Sequence, residues 1–112
     1  MQDWQWQVAD PMRIPEFLTA YAIGGLSDDE RFVLLEVLLQ SFEESPRDLE
    51  RDGLWRRLLG LIDRNIELHI HSVWYWSLVD EKDPANCWKV TPFLREILFR
   101  HMHRFLVDQP PA

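Results

Sequence analysis

His69 and His71 lie one residue apart in the run NIELHIHSVWYWSLVD, residues 65–80, and a second close pair, His101 and His103, sits in HMH. Imidazole is the side chain best suited to metal ligation and to proton transfer near neutral pH. Whether these four do either depends on the backbone beneath them. On a strand, alternate residues face the same way, and His69 and His71 would reach one ion. On a helix, two residues amount to about 200° of rotation, and the pair diverges. Helical two-histidine zinc sites use i, i+4 spacing, which neither pair has. Glu67 and His71 have it, but one carboxylate and one imidazole supply only half a zinc site. Glu67, His69 and His71 therefore define the alternative metal reading. The main reading holds no metal and no cofactor. It makes His101 a half-buried core histidine on an apolar stripe, and it places His103, with Arg100 and Arg104, near a helix C-terminus where the dipole favours positive charge.

Other catalytic arrangements are weaker. Cys87 stands beside Trp88 with no nucleophile signature around it, and a lone cysteine in such company packs more often than it reacts. Asp28, Asp29 and Glu30 resemble an acid cluster, but consecutive acids at a helix start are capping charges. The run IGGLS at residues 23–27 lacks the lysine of a phosphate loop. The expectation is that the protein is not an enzyme.

The elements that position these residues follow from periodicity. Pro15 to about Ile23 reads as a short helix with Phe17, Leu18 and Tyr21 on one side, stopped by Gly24 and Gly25. In LSDDERFVLLEVLLQSFEES, Ser27 and Glu30 form a capping box. Phe32, Leu35, Leu39 and Phe42 make a stripe there, which Val33, Val37 and Leu38 widen. So broad an apolar face predicts a central helix. Ser45–Pro46 predicts a new helix start with Asp48 in its first turn, and Gly53 a break. LWRRLLGLIDRN continues as helix with Leu54, Leu58, Leu61 and Ile62 inward, and Asn65 reads as a kink or stop. Residues 66–78 fit both a strand and a helix, and the helix is preferred because a strand needs partners for its backbone. VDEKDPAN is a polar loop. The last helix has Thr91 as N-cap and Pro92 just inside. The predicted fold is all-α, a compact bundle of four to five helices in one domain spanning residues 1–112. The alternative is α+β, with a small sheet from residues 3–8, 66–76 and 87–90.

Charge narrows the partner. Nineteen acidic and twelve basic side chains give a net charge of −7. Phosphate backbones are repelled by that balance, which argues against nucleic acid and favours a basic protein. One cysteine in the whole chain, no long apolar run and an acid-bearing start read as a cytoplasmic protein without membrane contact. Between Asp28 and Asp52 there are nine acids and three arginines. Asp28, Asp29, Glu36, Glu43, Glu44 and Asp48 are therefore the candidate steering residues. Tryptophan is enriched at interfaces, and Trp4, Trp6 and Trp88, outside the main helices, are the candidate anchors. Trp55, Trp74 and Trp76 are expected inside.

LSDDERFVLLEVLLQSFEE, the Tyr75-Trp76-Ser77 run and VTPFLREIL together resemble small bacterial cytosolic proteins, some of which are similar to immunity proteins that neutralise a toxin by binding it. The resemblance spans about Leu26 to Leu98. It implies stoichiometric protein binding without catalysis, and it implies no site residue, because immunity proteins share no motif. The expected function is thus a non-enzymatic protein-binding module, of the immunity type, occluding a basic toxin. The alternatives are a histidine-based metal protein and a structural homodimer.

Overall fold

Ser27 opens the longest element of the first half of the chain with both bonds of the predicted capping box. Its Oγ accepts from the Glu30 N–H at 3.1 Å, and its own N–H donates to Glu30 Oε1 at 3.0 Å. The computed structural model describes the backbone of residues 8–108 and the side chains of residues 8–103. Among these residues the fold is all-α, with five helices and no strand: α1 Ile14–Ile23, α2 Asp28–Glu44, α3 Gly53–Arg64, α4 Ile66–Ser77 and α5 Thr91–Asp108. Short 3-10 turns cover Pro11–Arg13 and Pro84–Asn86. The sheet alternative is overturned at 66–76 and 87–90; its segment 3–8 lies outside the described residues except for Val8.

Packing divides the chain into two units, residues 1–69 and 70–112. In the first, α1 packs against α2 and α3. Ile14, Leu18 and Tyr21 are its buried stripe, at the i, i+4, i+7 spacing of one helical face. Gly24 and Gly25 follow with φ of 92° and 83°, a conformation in which a Cβ would be strained. In α2 every residue from Leu35 to Phe42 is buried, as a central helix requires. Its N-terminal turns differ: Phe32 and Val33 are exposed. Phe42 meets Trp55 of α3 edge-on, 5.0 Å between ring centroids.

The predicted helix start at Ser45–Pro46 does not occur. Ser45 Oγ donates to the Phe42 carbonyl and so closes α2. The next cap is Asp52, whose Oδ1 accepts from the Trp55 N–H at 2.9 Å and whose Oδ2 pairs with Arg47 at 2.8 Å. Gly53 is consequently the first residue of α3 and not a break. Burial works against the Asp52 charge, but the bonds from Arg47 and from the Trp55 and Leu54 N–H groups outweigh it and hold the carboxyl below its ordinary range. Asn65 is a one-residue stop. Its side-chain amide donates to the Leu61 carbonyl at 2.8 Å, and its own carbonyl accepts from Leu68 and His69 to begin α4.

In α4 the buried positions include Ile66, His69, Val73 and Trp76, spaced three and four residues apart, which is why the segment coils. Ile70, between these positions, is half-buried. In residues 70–112, α4 ends at Ser77, and Leu78 takes a left-handed φ of 46°. Thr91 does not cap α5. Its Oγ1 donates instead to the Trp76 carbonyl at 2.9 Å. Arg95 secures the same helix end: Nε donates to Ser77 O at 2.6 Å, and Nη2 to Leu78 O and Glu81 O at 2.5 and 2.7 Å. The last carbonyls of a helix have no intrahelical donor, and one guanidinium supplies it here.

Candidate functional site

The histidines differ in exposure. His69 is fully buried, while Glu67 and His71 are exposed on α4. His101 is buried at 7% exposure and His103 is exposed. Among the described residues no three acidic, histidine or cysteine side chains converge as a metal would need. His69 Nε2 instead shares a hydrogen bond with the Tyr21 hydroxyl at 2.5 Å. Burial, reinforced by the nearby positive charge of Arg31, pushes the His69 pKa down to about 4. Burial likewise raises that of Tyr21. The pair is therefore neutral at neutral pH. In either tautomer His69 Nδ1 stays buried without a hydrogen-bond partner. A fully buried imidazole touches no substrate, so this is a polar element of the core.

The acidic candidates separate by exposure. Asp28, Asp29, Glu44 and Asp48 are exposed, and Glu43 is half-buried. Glu36 is buried at 8% exposure and drops out as a steering residue, because it lies within the continuous buried run of α2. Asp48 stands 3.8 Å from Arg51 in an exposed pair, which neutralises little. The chain's charge is unevenly placed. Residues 1–69 carry fourteen acids and seven bases, whereas residues 70–112 carry five of each. The whole net charge of −7 thus belongs to the first unit.

That unit also holds an apolar cleft of about 490 Å³. Its lining includes Phe17, Leu26, Val33 and Leu34, with Arg13, Asp29 and Glu30 among its polar groups. Arg13 is occupied, paired to Glu16 at 2.7 Å and stacked 4.8 Å over Phe17. Hydrogen bonding to Ser27, first through its backbone N–H, keeps the Glu30 carboxyl below its ordinary range. Asp29, a candidate from the sequence, therefore stands with Glu30 at a cleft; Phe32 and Val33, expected inside, are exposed.

Among the described residues of the second unit, Trp74 lines two neighbouring clefts. The first, about 480 Å³, is lined by Trp74, Tyr75, Leu78, Val79, Asp80, Glu81 and Trp88. The second, about 490 Å³, is lined by Ile70, His71, Trp74, Leu98 and Met102. Two expectations are corrected here. Trp74 is 55% exposed, because α4 buries Val73 and Trp76 and leaves position 74 on the outer side. Trp88, expected as an exposed anchor, is half-buried. It lies 4.6 Å from Trp76 and 5.6 Å from Tyr75, centroid to centroid. Trp55 and Trp76 are buried as expected. Trp4 and Trp6 lie outside the described residues. The heptad-like spacing of 66, 69, 73 and 76 was the signal that would have placed Trp74 outside.

No helix among the described residues is long and apolar enough to cross a membrane. Compared with known protein families, with curated proteins and with solved structures, the chain matches none.

Proposed function

We propose that the protein is a non-enzymatic binding module that occludes a basic protein partner, in the manner of bacterial cytoplasmic immunity proteins. The observation that carries this reading is the confinement of the entire net charge of −7 to residues 1–69, where exposed Asp29 and Glu30 line an apolar cleft. A charged rim steers encounter, and an apolar depression supplies the contact that holds. Asp28, Asp29, Glu43, Glu44 and Asp48 are the steering groups; Phe17, Leu26 and Val33 receive an apolar side chain of the partner.

Capture from an extract of the producing cell at low ionic strength tests the reading. The expected result is one stoichiometric protein with a pI above about 9, released by salt. Recovery of only further copies of the chain would replace this reading with a homodimer, and recovery of an acidic partner would end it.

A further inference from the structure

The twin clefts of residues 70–112 differ in chemistry. Among the described residues, Asp80 and Glu81 are the only charged side chains lining the first, whose other walls are the rings of Trp74, Tyr75 and Trp88 and the side chains of Leu78 and Val79. The backbone N–H of Asp83 and then the side chain of Asn86 hydrogen-bond Glu81 and hold its carboxyl below the usual range, so it is ionised at neutral pH. Among the described residues the second cleft carries no acid; Ile70, Leu98, Met102 and exposed His71 line it. The exposed Trp74 ring belongs to both. Phe99 on α5 is likewise 55% exposed, so large apolar side chains remain uncovered on this unit.

From this arrangement we infer that the paired clefts are a two-subsite receptor for a protein segment that places an arginine against Trp74, Asp80 and Glu81 and a neighbouring large apolar side chain against Ile70, Leu98 and Met102. Arginine satisfies the first subsite better than lysine. Its planar guanidinium stacks on indole and phenol faces while its N–H groups reach two carboxylates, whereas an ammonium is a compact point charge that keeps its water. An uncharged polar side chain gains the stacking and loses the ion pairing. The second subsite selects by apolar area alone. The inference rests on the protein-binding reading above but uses another surface and another chemistry. Capture can therefore fail while the arginine segment binds, and the reverse.

The probes are acetyl-arginyl-leucine amide, its citrulline counterpart, in which the guanidinium becomes a neutral urea, and acetyl-arginyl-glycine amide. Titration is followed by the Trp74 indole N–H resonance, assigned by its loss in Trp74→Phe. The arginyl-leucine probe should saturate this resonance with a dissociation constant of about 1–10 mM. Citrulline, or Asp80→Asn in the protein, should weaken binding about threefold or more, and glycine in place of leucine should weaken it about tenfold. Asp80 and Trp74 are both exposed, so these variants fold; a one-dimensional proton spectrum verifies it. Equal binding of the arginine and citrulline probes overturns the inference, as does indifference to leucine or no shift of the indole resonance up to about 50 mM probe.

Discussion

Arg95 Nε donates to the Ser77 carbonyl across 2.6 Å and 18 residues of chain. This bond gives the last carbonyl of α4 a donor, and the bonds to Leu78 and Glu81 fix the loop that carries Asp80 and Glu81. Arg95→Ala should lower the unfolding free energy by about 3 kcal/mol, read by urea denaturation. Arg95→Lys should recover less than half of the loss, since an ammonium cannot span carbonyls that a planar fork reaches. Full rescue by lysine would show that charge alone matters.

Tyr21 and His69 predict the response to acid. The folded chain refuses a proton on His69 until about pH 4, while an unfolded chain accepts one near pH 6.5. Between these values the unfolded state binds more protons, so stability falls as pH falls and is complete only above about pH 6.5. The contribution is up to about 3 kcal/mol. Denaturation midpoints across this range should decline in the wild type and decline less in His69→Leu. A wild-type profile flat from pH 7 to pH 4 would contradict the burial of a neutral imidazole.

Ser27→Ala removes the acceptor for the Glu30 N–H and should cost about 1 kcal/mol. Gly24→Ala, at a φ of 92° with nothing within 4 Å of the added Cβ, should cost about as much through backbone strain alone. Because the two act on different helix ends, the double variant should be additive in thermal or chemical denaturation.

Much of the fold is legible before any coordinates. Ser27 with Glu30, Pro15, and the glycines after Ile23 are local signals whose partners lie within four residues. The broad apolar face from Phe32 to Phe42 announces a helix covered on more than one side. Where reading failed, a cap-like pair was engaged elsewhere. Thr91–Pro92 has the form of a cap, yet the hydroxyl bonds the Trp76 carbonyl fifteen residues away. Ser45–Pro46 has the same form, and Ser45 bonds backward to Phe42 while Asp52 does the capping. Trp74, Tyr75 and Trp76 stand at three successive positions, and the spacing of Ile66, His69, Val73 and Trp76 is what distinguishes the outer Trp74 from the inner Trp76. Glu36 was counted with the surface acids by charge, although it sits within eight consecutive buried residues.

Glu36 provides a control for the steering residues. Asp28→Asn with Asp29→Asn should slow association with the captured partner several-fold with little change in dissociation, because rim charges act on encounter. Glu36→Gln, at a buried position, should leave the association rate unchanged and alter stability instead. Stopped-flow kinetics on folded variants separates the two effects, and an equal slowing by Glu36→Gln would mean that net charge, not its placement at the cleft, sets the rate.

The central claim is that acidic residues of the first unit draw in a basic protein. Its most direct test is the association rate of the chain with its captured partner as salt is raised from about 20 to about 500 mM, over which the Debye length shrinks to a few ångströms. The rate should fall about tenfold or more; a rate indifferent to salt would show that the acids do not steer encounter.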